Sequence, residues 1–93
     1  MSWDTPQRPP FPAAAQKLTI SGVAALSNVI GASACMLCAS TDVHFLVGGA
    51  PVATTADSFL PAKVVITISC HSTDKVSAVQ DSAGGFLTVT PLS

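Results

Sequence analysis

The residues with the clearest chemical potential in this sequence are its thiols and imidazoles. Cys35 and Cys38 are spaced as C-x-x-C, Cys70 is followed directly by His71, and His44 lies between the two pairs. Four such side chains can hold zinc in a tetrahedron, and a C-x-x-C pair can also act as a redox dithiol. The two residues inside this C-x-x-C are apolar, and residues three apart in a strand point to opposite faces. We therefore predict structural cysteines that fill gaps in the core, with neither a zinc site nor a redox pair.

Nucleophilic or acid–base catalysis is equally unsupported by the pattern of polar residues. The chain has no G-x-S-x-G elbow, and its aspartates fall singly in turns. Alternation points His44 away from Phe45, which favours a surface or interface histidine rather than a base. His71 lies in a predicted turn beside Ser72 and Asp74, where a local hydrogen-bonded loop is expected. We predict that the protein is not an enzyme and carries no cofactor.

The composition indicates a protein that is packed among other subunits. Only 10% of its residues are charged, glutamate is absent, the formal net charge is −1 and 48% of residues are apolar. A surface with so few charges has little to keep it monomeric, so we expect neighbouring subunits to cover much of it. The strong bases are scattered rather than clustered, which argues against nucleic acid as a partner; they are Arg8, Lys17, Lys63 and Lys75.

The sequence does not favour either of two membrane-related interpretations. Residues 18–41 carry no charge, which is long enough for a membrane span, but serine, threonine, asparagine and glycine interrupt the segment repeatedly. Lys17 before an apolar run, with the small residues 32–35 after it, resembles an export signal, although a long proline-rich leader is unusual for one. Three cysteines is an odd number, and a cytosolic, reducing site of synthesis is the simpler assumption.

The chain divides into an N-terminal arm, residues 1–16, and a domain, residues 17–93. Pro6, Pro9, Pro10 and Pro12 lock φ and remove amide donors, so the arm is expected to be extended or polyproline-like. At about 3.1 Å per residue, such an arm reaches on the order of 50 Å.

The rest of the sequence alternates with the period of a β-strand. Runs rich in β-branched residues are separated by Gly-, Pro- and Asp-containing turns, which predicts an all-β fold: a small antiparallel β-sandwich or a jelly-roll-like barrel. The predicted strands are 17–20, 42–47, 63–70, 75–80 and 86–90. Residues 22–40 also suit a helix, and within them we interpret 33–40 as a buried, central strand.

Residues 51–62, "PVATTADSFLPA", form the most distinctive internal segment. Prolines bracket polar residues and two apolar ones, which predicts an exposed connection that tucks Phe59 or Leu60 into the core. A structural crossing between sheets is the favoured interpretation, and a ligand-binding loop is the alternative.

The order of these motifs resembles small virion proteins of tailed bacteriophages. In that type, a "D-x-H-x-x-x-G" strand precedes an "A-T-x-x-D-x-x-L-P-A" loop, then a Lys-Val-Ala strand and a closing "G-x-L-x-V-T". About half of the chain, its C-terminal half, follows this order. The matching residues are Asp42, His44, Gly48, Ala53, Thr54, Asp57, Leu60, Pro61, Ala62, Lys75, Val76, Ala78, Gly85, Leu87, Val89 and Thr90.

The resemblance implies a jelly-roll-like β domain on a virus particle, made in the host cytoplasm. Such proteins look like capsid decoration, or cement, proteins that bridge major capsid subunits, often as trimers. A neck, tail or fibre-associated component is the near alternative, and a receptor- or carbohydrate-binding module is a more distant one. The arm lies outside the pattern. Because aromatics bury large contact areas and prolines lower the entropy cost of ordering, we predict partner contacts at Trp3, Pro9, Pro10 and Phe11.

Overall fold

The computed structural model describes residues 15–92, which form eight β-strands and no helix. None of these residues belongs to a helix of the length and hydropathy that a membrane span requires. The strands are β1 (Gln16–Ile20), β2 (Ala25–Leu26), β3 (Ala34–Ala39), β4 (Val43–Gly48), β5 (Ser58–Leu60), β6 (Ile66–Ser69), β7 (Lys75–Gln80) and β8 (Gly85–Leu92). The predicted all-β class is confirmed.

The strands form two antiparallel sheets, with orders β1-β8-β3-β6 and β2-β7-β4-β5. The pairing is nested: the first strand pairs with the last, the second with the seventh, the third with the sixth and the fourth with the fifth. Two further pairings, β3 with β8 and β4 with β7, join these pairs into sheets. The fold therefore depends on contacts between residues far apart in the sequence, which is typical of non-local β topologies.

One hydrophobic core lies between the two sheets. Alternate residues of each strand supply it, because successive side chains of a strand point to opposite faces. Its buried members come from both sheets and from the connection before β3: Leu18, Ile20, Ile30, Cys35, Leu37, Ala39, Val43, Leu60, Val76, Ala78, Leu87 and Val89. Buried and more exposed residues alternate along β1 and β8, as the strand period predicts. Of the two candidate anchors before β6, it is Leu60 that is buried while Phe59 is half exposed.

The uncertain region 22–40 is strand and irregular chain within the described structure. β3 pairs with β8 on one side and β6 on the other, so the prediction of a central strand is confirmed. β2 is only two residues long. Directly after β2, Ser27 continues the contact with β7. Its Oγ accepts a 2.8 Å hydrogen bond from the Val76 amide and donates one to the Asn28 carbonyl. Local polar bonds thus replace regular pairing there.

Three details of the sequence-based assignment are wrong. β6 begins at Ile66 rather than residue 63, since Lys63 has a left-handed backbone, φ 63°, which a strand cannot continue through. Burial does not alternate along β7 as the strand period predicts; residues of both its faces are buried, because the connection after β4 covers Ser77. That connection also joins two neighbouring strands of one sheet, β4 and β5, and the crossing between sheets follows at residues 61–65.

The domain begins at β1, one residue inside the predicted arm. Gln16 pairs with Val89, and its side-chain amide accepts a 2.8 Å hydrogen bond from the Asn28 amide while donating to the carbonyls of Asn28 and Val29. These bonds fix the N-terminal end of β1.

We expect the core to be most sensitive at β3. Leu37 is fully buried in the central strand, so Leu37→Ala should lower the free energy of unfolding by about 2–5 kcal/mol through lost burial and the cavity left behind. Leu26→Ala removes the same atoms from a side chain that is 51% exposed, and should cost less than about 1 kcal/mol. Urea unfolding of both variants measures the difference. Equal losses would contradict the assignment of the core.

Candidate interaction surface

The four residues predicted to contact a partner, Trp3, Pro9, Pro10 and Phe11, lie outside the described residues. The partner contacts therefore remain a prediction. The structure does describe the surface of residues 15–92 and the positions and contacts of the thiols, imidazoles and carboxylates that the sequence singled out.

The thiols of the C-x-x-C pair diverge, as predicted. Cys35 is buried in the core, whereas Cys38 lies on the outer face of the same strand, facing away from the second sheet. Cys70 lies beyond the end of β6, packs against the core and donates its Sγ–H to the Ala32 carbonyl at 3.3 Å. Residues 15–92 contain no cluster of three or more His, Cys, Asp or Glu side chains that could hold a metal ion.

Two of the thiols are poor nucleophiles because of where they lie. Burial, reinforced by the neighbouring Cys70, raises the pKa of Cys35 to about 11. Burial also raises the pKa of Cys70. A thiol with a raised pKa is almost fully protonated at neutral pH, whereas the thiolate is the reactive form. These cysteines therefore have the character of small core residues.

His44 is the most elaborately bonded side chain of the described residues. It lies on the outer face of β4, opposite to Phe45 as predicted, but is only 11% exposed. Its Nε2 lies 2.8 Å from Asp81 Oδ1 and its Nδ1 lies 3.1 Å from the Asp57 carbonyl oxygen. The ring also packs against Phe59, with centroids 5.4 Å apart. His44 thus connects β4 to the segment before β5 and to the turn after β7.

The geometry around His44 favours its protonated form. Both ring nitrogens face oxygen acceptors, and only the imidazolium has a proton to donate to each. The hydrogen bond to Asp81, followed by that to the Asp57 carbonyl, raises the pKa of His44 above its ordinary value of 6.5. This arrangement stabilises the fold and leaves no free nitrogen to act as a base.

The remaining aspartates of the described chain also stabilise turns. Asp42 Oδ1 accepts a 2.7 Å hydrogen bond from the Ala62 amide, which ties the start of β4 to the end of β5. Asp57 Oδ2 accepts one from the Thr54 amide at 2.7 Å. Asp74 Oδ2 accepts one from the His71 amide at 2.9 Å, which confirms the predicted local loop. No two of these carboxylates share a hydrogen-bond partner, so none is arranged as a general acid–base pair.

The connection between β4 and β5 covers part of the second sheet. The Ala53 amide donates a 2.9 Å hydrogen bond to Ser77 Oγ, and both residues are buried. Pro51 is buried as well, whereas Val52 is 68% exposed. The segment is therefore a fixed structural cover with apolar side chains directed outward.

The exposed surface of residues 15–92 carries many large apolar side chains. Such side chains occur on both sheets and on the connections, and they outnumber the lysines of the same residues. Apolar surface rimmed by polar groups is typical of protein interaction sites. The exposed members are Val23, Leu26, Val29, Leu46, Val52, Phe59, Val64, Val65 and Phe86.

A groove of about 370 Å³ crosses the outer face of the first sheet. Phe86 forms part of its wall, and the Lys17 ammonium lies 4.2 Å from the centre of the Phe86 ring. A cation placed so over an aromatic face is favourable electrostatically. Lys17 and Phe86 lie on the faces of their strands opposite the buried residues, and the pairing of β1 with β8 brings them together. The groove is lined by Lys17, Cys38, Ala39, Ser40, Lys63, Phe86 and Thr88.

Comparison with known proteins assigns no relative to this chain: no protein-family model, no curated protein and no solved structure matches it.

The bonds of His44 predict a specific pH dependence of stability. The pKa of His44 is raised in the folded state, so protonated His44 stabilises the fold. This stabilisation is fully present below pH 6.5, the ordinary pKa, and is lost as the pH rises through the folded-state pKa. The free energy of unfolding should therefore fall as the pH rises above about 6.5 in the wild type, and this fall should be reduced in His44→Gln. Urea unfolding across that range measures it.

The matched control is His71→Gln, which removes an imidazole from an exposed turn residue. It should leave the wild-type pH dependence in place. A His44→Gln variant with an unchanged pH profile would contradict the proposed role of the Asp81 and Asp57 contacts.

Burial also predicts the order of thiol reactivity. In the native protein at pH 8, iodoacetamide should modify Cys35 far more slowly than Cys38, because Cys35 is fully buried and its pKa is about 11. Peptide mass spectrometry after timed labelling distinguishes the two sites. Both should react alike in urea, and equal rates in the native protein would show that the core opens around β3.

Proposed function

We propose that this chain is a non-enzymatic structural protein of a phage particle, namely a capsid decoration (cement) protein that bridges major capsid subunits. The observation that carries the proposal is the character of the surface: among residues 15–92, nine large apolar side chains are exposed, while the same residues include three lysines and four aspartates. Such a surface is suited to permanent contact with neighbours.

We infer that the domain is a β-sandwich with jelly-roll topology. The nested pairing of the first strand with the last, and so on inward to β4 and β5, supports this. So do the strand orders of the two four-stranded sheets, because an eight-stranded double-sheet jelly roll is a folded antiparallel ribbon of this kind. That topology agrees with the resemblance to small virion proteins.

The residues that carry the resemblance have structural roles, which supports a structural rather than a catalytic function. Asp42, His44 and Asp57 hold the ends of β4 and β5 and the segment between them through hydrogen bonds. Leu60 and Leu87 are buried in the core. The motif thus maintains a rigid scaffold, and the chemistry of recognition falls to the surfaces and the arm.

In this proposal the arm engages a neighbouring subunit of the virion, with trimers of the domain on the shell. Trp3 and Phe11 supply the large apolar contacts, and Pro9 and Pro10 lower the entropy lost on binding. The domain supplies the rigid body that the arm fastens, because its core lies wholly between residues 18 and 89.

The test is the position and copy number of this chain in intact particles, measured by mass spectrometry and electron microscopy. A symmetric shell repeats the same binding site many times, so a copy number on the order of hundreds on the head supports the proposal. A few copies confined to the neck or tail would replace it with the connector or tail function, and absence from particles would refute it.

The contribution of the arm can be tested by substitution without touching the domain. Trp3→Ala/Phe11→Ala should reduce occupancy of particles at least about tenfold, because aromatic anchors supply a large share of interface energy. Thr5→Ala/Gln7→Ala alters two polar residues of the same segment and should retain occupancy. If deletion is used, it should stop at residue 14, since Gln16 belongs to β1.

A further inference from the structure

The groove on the first sheet has features of a recognition site for a peptide that carries an aromatic and an acidic residue. It runs across the strands from Lys17 on β1, past Thr88 and Cys38, to Lys63 beyond the sheet. Three strand spacings separate its ends, or about 14 Å. Such a length accommodates several residues of an extended chain.

Both ends of the groove carry a positive charge without a carboxylate partner among residues 15–92, where the single ion pair is His44 with Asp81. Lys17 lies over the Phe86 ring at 4.2 Å. An anionic group that binds there meets an ammonium and an apolar wall together, which favours an acidic residue next to an aromatic one.

Lys63 is held in the groove by an unusual backbone. Its φ is 63°, a left-handed conformation that a residue with a long side chain rarely adopts. The Lys63 amide donates a 2.7 Å hydrogen bond to the Ala39 carbonyl, which keeps the conformation in place. Such outliers concentrate at binding sites, where strain is maintained by the surrounding structure.

The direction of β1 favours a second copy over the same copy as the source of the occupant. Gln16 lies opposite Val89, whereas Lys17 and Thr19 lie opposite Thr88 and Phe86. β1 therefore runs toward Phe86, and its N-terminal end faces away from that ring. Four prolines among residues 6–12 favour continued extension over a reversal.

We propose that the groove receives the N-terminal segment, residues 1–14, of a second copy of this chain. Its Trp3–Asp4 pair offers the aromatic and the carboxylate that the groove selects, with the ring against Phe86 and the carboxylate near an ammonium. Fourteen extended residues reach about 40 Å, well beyond the width of a four-stranded sheet. The inference rests on the proposed function, since it names the surface that the arm clasps.

An arm-to-groove contact joins two different surfaces, so each copy inserts its own arm into one neighbour and binds the arm of another in its groove. Contacts of this heterologous kind close into rings when the rotation between copies permits. A closed ring of three satisfies every arm and every groove, which accounts for a trimer without any further interface.

Cross-linking through Cys38 tests the contact on the full-length chain. In Ser2→Cys, a short bismaleimide should join position 2 of one copy to Cys38 of the next, giving covalent dimers and trimers on denaturing gels. The products should disappear in Ser2→Cys/Cys38→Ser and persist in Ser2→Cys/Cys70→Ser. The unaltered chain, treated in parallel, measures cross-linking between native thiols.

A charge exchange provides a second readout that does not depend on cysteine. Lys17→Glu and Asp4→Lys should each weaken self-association by roughly tenfold in sedimentation velocity, and the double variant should recover most of it, because the ammonium beside Phe86 is the one that Asp4 meets when Trp3 packs on that ring. Lys75→Glu is the matched control, because Lys75 lies on β7 in the other sheet and should leave association unchanged.

The outcomes separate this inference from the proposed function. Cross-links confined within single chains, or absent while the arm variants still lose particle occupancy, would overturn the groove as the receiving surface and leave the virion role intact. Association that is unaffected by Lys17→Glu and Asp4→Lys would overturn the inference as well. Loss of cross-linking only in the Cys38→Ser background supports it.

Discussion

The pairing of β3 with β8 is the interaction on which both faces of this protein depend. Its register sets Leu37 opposite Val89 and Ala39 opposite Leu87 in the core, and Cys38 opposite Thr88 on the outer face. A slip of one residue would exchange these sets, since side chains alternate between faces. The burial of four apolar residues opposes any such slip. The same register therefore stabilises the fold and assembles the groove.

Polar side chains in this domain are used mainly to hold connections that cannot pair as strands. Asp42, Asp57 and Asp74 each accept a hydrogen bond from a backbone amide, and Ser27 and Ser77 do so in buried positions. Among the described residues, no buried side-chain nitrogen or oxygen lacks a partner. An unsatisfied buried polar group costs about 1–3 kcal/mol, so these bonds allow long connections in a domain of modest size. They also leave few polar groups over for chemistry.

The proposed function follows from what remains on the surface. Apolar side chains are exposed on both sheets, and the charges are few and dispersed. Lys17 and Lys63 are placed where a neighbour can neutralise them, at the two ends of one groove. A rigid β domain with such a surface, preceded by a proline-rich segment, has the physical character of a subunit that is completed by its neighbours.

Local pattern alone determined the class of this fold and most of its inward faces. The alternation of apolar and polar residues indicated which side chains of β1 and β8 share a face, and the spacing of three specified that Cys35 and Cys38 diverge, because both follow from the two-residue period of a strand. Such a pattern could not predict three features: the shortness of β2, the late start of β6 and the burial of Ser77. Each results from a segment distant in sequence that covers or bonds the strand.

Only the tertiary structure decided which outward residues meet. Lys17 and Phe86 are 69 positions apart, and their contact requires the first and last strands to pair in one register. The bonds that His44 makes to Asp81 and to the Asp57 carbonyl likewise require β4, β5 and β7 to lie side by side. A periodic pattern records the face on which a residue lies but not its neighbour across the sheet, because pairing is chosen by the burial of the whole core.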